Sequence, residues 1–262
     1  MKPIVVKIGG STLGNHDTTL EDLAALQKAG ESLVVVHGGA KVTSQWLARL
    51  GIPTSFKDGL RVTDAESLKV ATAALGGLVN KELVVAIQAL GGRAVGLCGC
   101  DGYMLWANIK RPELGYVGEI VAVDSTLLKQ LLKAGYMPVV APVSFGPVEG
   151  KTQLLNINGD AAAGEIAAAL CAEKLIFLTD VDGIHDGTGK IISGLTASEA
   201  KQMISSGAAS GGMIPKIEAS LKALTTVPVV HIINGNLPHA LLNVTSNEAK
   251  QSKSGGTSIV PD

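Results

Sequence analysis

Lys7, Lys216, Arg61 and Asp160 are the residues of this chain whose type and setting could do chemistry. Lys7 stands in Val6-Lys7-Ile8-Gly9-Gly10, where an aliphatic run ends on two bare glycines. A second pair, Gly38-Gly39, closes the next aliphatic run, behind His37. Missing side chains let a ligand approach the main chain, and successive amides can converge on an anion. A tight turn beside a solvated lysine explains either pair alone. Their recurrence at equivalent places, once with a lysine, points to an anion cradle.

The other candidates each carry two readings. Lys216 follows Gly211-Gly212-Met213-Ile214-Pro215. Pro215 suits a first helical position, and Ile217, Leu221 and Leu224 continue a helix. A cation in that first turn faces the positive end of the dipole, so it either swings into water or joins the helix end in holding a phosphate. Arg61, in Gly59-Leu60-Arg61-Val62-Thr63-Asp64, is either a surface residue or a planar clamp for a carboxylate. In Asn156-Ile157-Asn158-Gly159-Asp160, Asp160 by itself reads as a helix N-cap, while the alternating asparagines suit polar groups aimed at a ligand. Thr179-Asp180-Val181-Asp182-Gly183 places acids beyond a strand end, fit for ribose or metal-bound water as well as for a capped turn.

These residues need elements to position them. Short aliphatic runs at 4–8, 33–37, 94–97, 138–141, 175–179 and 227–233 predict strands, mostly continuous rather than alternating, as strands covered on both faces are. Helical patterns lie between them, notably at 65–90 and 160–170. Thr18…Glu21, Thr63…Glu66 and Thr196…Glu199 each fit a capping box. Strand-helix alternation predicts an α/β fold, a three-layer αβα sandwich with an open, mainly parallel sheet. The expected lobe boundary is near Ala172, giving lobes of 1–171 and 172–262. Ligands of such sheets sit beyond the carboxyl ends of the strands, where Lys7-Gly10 and His37-Gly39 fall.

Composition excludes several classes. The 262 residues are 46% hydrophobic, enough for a large core. A net charge of −1, with no basic run, argues against nucleic acid. Cys98, Cys100 and Cys171 complete no metal or disulfide pattern and read as reduced cysteines of a cytoplasmic protein. No signal peptide is expected, nor any apolar run long enough to cross a membrane. Gly146-Pro147-Val148-Glu149-Gly150-Lys151-Thr152 imitates a P-loop but is one residue short between its glycines, with no strand leading straight into it. Asp180-Val181-Asp182-Gly183 imitates a calcium loop whose next ligand position is Ile184. No dinucleotide fingerprint is present.

Together the segments KIGGS, VVHGG, GLRVTD, NINGD, LTDVDG, GGMIPK and GGTSI, in that order from residue 7 to 259, resemble the amino acid kinase family, and within it the members that act on N-acetyl-L-glutamate. The resemblance implies transfer of the γ-phosphoryl group of ATP, with Mg2+ held mainly by phosphates and water, to the side-chain carboxylate of N-acetyl-L-glutamate, in arginine biosynthesis. It implies that Lys7 and Lys216 neutralise the transferring group, that Asp160 orients both, and that Gly10 and Gly38 offer amides. Gly38, Gly39, Arg61, Asn156 and Asn158 would hold the acyl substrate in the N-terminal lobe. Gly9, Thr179, Asp180, Val181, Asp182, Gly183, Ser210, Gly211, Met213 and Lys216 would hold ATP in the other. A homodimer joined through the N-terminal lobe is implied. The start six residues before Lys7 suggests that the N-terminal helix of arginine-inhibited hexamers is lacking, and hence no inhibition by arginine. No segment points to a nitrogen-sensing regulatory partner. Alternatives are a kinase of the same fold acting on an aminoadipate derivative, and a nucleotide-binding protein without turnover. The sequence departs from the family pattern at Ala40, Cys100 and Gly159, none of them a charged catalytic position.

Overall fold

A computed structural model describes residues 2–9, 18–245 and 255–262. In chain order the N-terminal part runs β1 (Ile4–Ile8), α1 (Thr19–Lys28), β2 (Leu33–His37), α2 (Ala40–Arg49), β3 (Phe56–Lys57), β4 (Leu60–Arg61), α3 (Ala65–Thr72), α4 (Asn80–Ala89), β5 (Ala94–Cys98), β6 (Leu105–Ile109), β7 (Gly118–Val123), α5 (Thr126–Lys133), β8 (Met137–Ala141), β9 (Val143–Val148), β10 (Lys151–Asn156) and α6 (Gly159–Leu170). It continues with β11 (Lys174–Thr179), β12 (Gly194–Thr196), α7 (Ala197–Ser205), α8 (Met213–Ala223), β13 (Val230–Asn234), α9 (Ala240–Thr245) and β14 (Thr257–Val260).

The aliphatic runs become the middle of one eight-stranded sheet, ordered β12-β14-β13-β11-β1-β2-β8-β5. Its neighbours are parallel except β13 and β14. The period of two decides which helix each residue meets. Ile4, Val6 and Ile8 pack with Leu23 and Leu26 of α1 and with Leu83 and Ile87 of α4. Val5 belongs to the opposite layer, with Ala163 and Ile166 of α6 and Ile217 of α8. Lys7 alternates onto that same layer, so the first strand points its ammonium toward α6.

Three sequence expectations need correction. A second sheet, β10-β9-β6-β7, lies over the α6 layer. Its strands mix polar and apolar residues, as strands with one wet face do. The false P-loop spans the end of β9, a turn with Glu149 at φ 49 and Gly150 at φ 76, and the start of β10, so a strand does lead into it, but a strand and not a helix follows. Only one capping box forms, at Thr196 and Glu199. The Thr18 hydroxyl instead accepts from the backbone N–H of His239, and α3 is capped by Asp64, which accepts from Ser67 N–H. Finally, the helical run 65–89 is, by length and composition, long and apolar enough to cross a bilayer. Its Leu68, Ala71, Leu75, Val79, Leu83 and Ile87 are instead buried within the fold.

Candidate active site

The site is built where β1 and β2 end and α6 and α8 begin. Asn158 caps α6, its Oδ1 accepting from the N–H groups of Asp160 (2.8 Å) and Ala161 (3.1 Å). Asn158 thereby takes the role that Asp160 had by sequence, and the Asp160 carboxylate is released for another task. It is a bridge: Lys7 Nζ lies 2.6 Å from Oδ1 and Lys216 Nζ 3.2 Å from Oδ2. The two lysines thus meet through one carboxylate, although 209 positions separate them in the chain (216 less 7).

Helix packing makes that meeting possible. One turn beyond Asp160, Gly164 of α6 sits so close to α8 that a side chain there would run into the Ala219 backbone. Ala219 lies one turn beyond Lys216, so the tight crossing sets the two helix starts side by side. Helix α8 begins at Met213 rather than at Pro215. Proline is still accommodated, because N–H groups of the first turn have no intrahelical acceptor. Lys216 Nζ also donates to Gly212 O at 3.2 Å, which folds the ammonium back over the start of its own helix.

The electrostatics follow from this geometry. Burial pushes the Asp160 carboxyl upward, but the ammonium groups of Lys7 and Lys216 outweigh it and hold the group below the usual carboxylate range. The ionised carboxylate, held between the two lysines, is the resting state.

Lys7, Gly38, Gly39, Arg61, Asn156, Asn158 and Asp160 all line one cavity of about 190 Å³. Arg61 is buried in its wall. Its Nη2 donates to Ala40 O (2.9 Å) and Ser44 Oγ (2.7 Å), and the guanidinium lies 4.8 Å from the Phe56 ring centre. Its Nη1 is buried with no hydrogen-bond partner among the described residues, an open donor suited to a carboxylate. Ser44 is the residue that sequence reading missed. It lies four positions after Ala40 and so on the same face of α2, which is the signal that could have found it. Ala40, a departure in sequence, fits as the first residue of α2 and supplies a carbonyl to Arg61. Asn156 Nδ2 donates to Thr63 Oγ1 at 3.1 Å, and that hydroxyl donates to Arg61 O at 2.9 Å.

Other expected residues fall elsewhere. Gly10 lies outside the described residues. Gly38 lines the cavity, but its N–H is already donated to Ile8 O at 2.9 Å, so it has no amide to offer. The amide left in this loop is that of Gly39. Gly9 N–H is likewise donated to Leu178 O at 3.2 Å. Thr179 ends β11, beside β1, and Asp180, Val181, Asp182 and Gly183 follow it, all five outside the cavity. There Thr179 Oγ1 donates to Asp180 Oδ1 (3.2 Å), and Asp182 Oδ1 accepts from Asn234 Nδ2 (2.7 Å). Ser210 and Gly211 are exposed just ahead of α8, with Met213 as its first residue. Among the described residues no group of three or more His, Cys, Asp or Glu converges to hold a metal.

The chain has known relatives. The model of the amino acid kinase family matches residues 2–234. An acetylglutamate kinase of Dehalococcoides mccartyi (strain 195) is 45% identical over 242 residues, covering 91% of this chain and 89% of that protein. An acetylglutamate kinase of Agrobacterium fabrum is 44% identical over 279 residues, covering 99% and 92%. Among solved structures, smu.665 of Streptococcus mutans UA159 superposes with a TM-score of 0.83 at 28% identity, over 99% of this chain and 98% of that one. The Neisseria gonorrhoeae N-acetylglutamate synthase complexed with coenzyme A and N-acetyl-glutamate gives 0.81 at 30% identity, over 100% of this chain and 60% of the synthase. The matched span holds β1, the Arg61 hairpin, α6 and α8, the four segments that carry the charged cluster, and the chain therefore belongs to the amino acid kinase family.

Proposed function

We propose that the protein transfers the γ-phosphoryl group of ATP to the side-chain carboxylate of N-acetyl-L-glutamate, giving N-acetyl-glutamyl 5-phosphate and ADP. The observation that carries this reading is the Lys7–Asp160–Lys216 bridge at the edge of a cavity walled by Arg61. Kinase relatives at 44–45% identity over most of the chain support it.

The chemistry asks little of the protein beyond position and charge. A carboxylate is already ionised and nucleophilic, so no base is required. One carboxylate oxygen bonds to the γ-phosphorus as the bond from that phosphorus to the β–γ bridging oxygen breaks, and the electron pair leaves with ADP. No proton moves. Negative charge shifts among the phosphoryl oxygens and the leaving group, and fixed cations stabilise that shift. Lys7 approaches from the acyl side and Lys216 from the nucleotide side. Asp160 keeps the two ammonium groups from repelling each other before substrate arrives. Arg61, with one unpaired donor in the cavity wall, holds the α-carboxylate of the acid, and Asn156 helps fix it. Mg2+ is carried by the ATP phosphates and water, since the one buried acid here is already shared by two lysines; it supplies further charge neutralisation.

A cavity of about 190 Å³ falls below the ~300–1,000 Å³ of drug-sized sites and suits the acyl amino acid alone. ATP therefore belongs outside it, along Gly9, Thr179–Gly183 and the start of α8 at Ser210, Gly211 and Met213. This divides the work between lobes, with 1–171 for the acid and for dimerisation and 172–262 for the nucleotide. Ala73, Gly77 and Val85 are exposed along the 65–89 helical run, with exposed Lys81 among them, and a second copy would cover this stretch in a homodimer. The three cysteines are free, in keeping with a cytoplasmic enzyme.

The test is ATP-dependent trapping of the acyl phosphate with hydroxylamine, comparing N-acetyl-glutamate, glutamate and N-acetyl-aminoadipate. Preference for N-acetyl-glutamate by at least about tenfold, the worth of one methylene or one lost polar contact, is the expected result. Preference for the aminoadipate derivative, or no hydroxamate from any acid, would overturn the assignment.

A further inference from the structure

His37 closes β2 with no solvent exposure, and strand alternation turns it to the face opposite Lys7. Its Nδ1 lies 2.7 Å from Gly38 O, and its Nε2 lies 3.1 Å from Asn80 Nδ2. A carbonyl can only accept, so Nδ1 carries the proton and a neutral ring leaves Nε2 bare. The other end of the chain of contacts gives the same answer. Asn80 Nδ2 also reaches Val139 O (2.8 Å) and Leu97 O (3.3 Å), while Asn80 Oδ1 accepts from Lys81 Nζ at 3.0 Å. Two carbonyls on one side and an ammonium on the other permit a single orientation of the amide, with its donors toward His37. Burial pushes the imidazole down to about 4, the Gly38 carbonyl opposing and Lys7 and Lys81 reinforcing, so the ring is neutral near pH 7.

The consequence falls on one peptide group. The Gly38 carbonyl and the Gly39 N–H belong to the same planar trans unit and point in opposite directions. Gly38 N–H is committed to Ile8 O, whereas Gly39 N–H has no partner among the described residues. We propose that His37, locked by Asn80, is a positioning residue for phosphoryl transfer: by holding the Gly38 carbonyl it aims the Gly39 N–H across the sheet end at the charge that develops beside Lys7. This rests on the reaction proposed above.

The surroundings are shaped for it. Asn80 follows directly on a π-helical segment, Ala73–Val79, a rare form that concentrates at functional sites. That segment seats Leu75 and Val79 against Gly39, where an added Cβ would displace the end of the Leu75 side chain. Gly96 on β5 must also stay bare, because a Cβ would overlap Asn80 Oδ1. The Asn80 amide is thus held by strand carbonyls and a lysine directly behind a helix irregularity whose Leu75 also lines the cavity.

The experiment has two arms. In the first, the 15N spectrum of the imidazoles in the resting protein is assigned with His37→Asn. The expected result is a neutral Nδ1–H ring for His37 at pH 7, and an Nε2–H or charged ring overturns the inference. In the second, His37→Leu removes the donor, while His37→Asn keeps an N–H near the Nδ1 position. The expected outcome is a loss of kcat of about 10- to 100-fold in His37→Leu. KM for N-acetyl-glutamate should move less than about 3-fold, and at least part of kcat should return in His37→Asn. Unchanged kcat in His37→Leu, or a loss confined to KM, overturns the inference. If His37→Leu does not fold, the spectrum of the unmodified protein still decides. Failure of the unmodified protein to phosphorylate N-acetyl-glutamate overturns the proposed reaction instead, and the tautomer is read independently of it.

Discussion

Asp160→Asn tests the central bridge. The change keeps side-chain volume but removes the one negative charge between two ammonium groups. Side-chain exposure is 8% for Asp160, 9% for Lys7 and 14% for Lys216, so water screens none of them well. Stripping the partner from a buried charge costs ~3–5 kcal/mol. The lower end applies, because Lys216 can turn outward while Lys7, on the innermost sheet layer, cannot. About 3 kcal/mol corresponds to a fall in Tm of roughly 6–12 °C for a chain of this size. Turnover should fall about 100- to 1,000-fold, the worth of a misplaced electrostatic contact. Two unneutralised lysines should also bind anions better, so MgADP should raise the variant's Tm by more than it raises the parent's. The pH dependence has a definite sign. The folded carboxyl lies below its ordinary 3.8, so the bridge contributes fully above that pH and is lost only as pH falls through the lower folded value. The stability gap between parent and variant should therefore close in acid. Hydroxamate kinetics and thermal melts from pH 7 to pH 3 supply the data. Turnover within tenfold of the parent, or a Tm within about 2 °C at pH 7, would refute the reasoning.

Three further predictions follow from the same geometry. Lys7→Ala and Lys216→Ala should each lower kcat about 100- to 1,000-fold with circular dichroism unchanged, and near-normal turnover in either removes that lysine from the mechanism. Arg61→Lys forfeits the fork that reaches Ala40 O and Ser44 Oγ; KM for N-acetyl-glutamate should rise about 10- to 100-fold with a smaller change in kcat, whereas an unchanged KM would place the acid elsewhere. Gly159→Ala should be tolerated, because a Cβ at Gly159 meets nothing nearer than 3.4 Å, and it should add ~0.4–1 kcal/mol by restricting the unfolded chain; a loss of stability would show that the loop needs glycine.

Several features were legible in the residues because they arise locally. β1, β2 and β11 stand out as largely apolar runs without alternation, since strands covered on both faces have no polar side to show. The turns after them, and the capping box at Thr196 and Glu199, depend on neighbours a few positions apart. The strands β6, β7, β9 and β10 were not legible. Their residues include Asn108, Pro147, Lys151 and Gln153, and their pairing is set by a partner strand and by the α6 layer, not by their own pattern. The sequence predicts one helical run over 65–90, and nothing in its composition announces the π-helical segment within it.

The functional cluster divides along the same line. Sequence alone fixed the presence of Lys7 after a strand, Lys216 in a first helical turn, Arg61 before a helix and Asp160 at a helix start, and each of these had an ordinary local explanation. Only tertiary structure chose between the explanations. Asn158 became the cap, so Asp160 was freed; Gly164 let α8 approach α6, so Lys216 reached Asp160; and strand parity put Lys7 on the α6 side. The Nε2 partner of His37 is likewise supplied by Asn80, 43 positions away. The physical reason is that hydrogen bonding and charge act through space. The chain specifies which groups exist and what they can do near their own backbone, while the partner each one finds depends on layers packed from residues hundreds of positions apart.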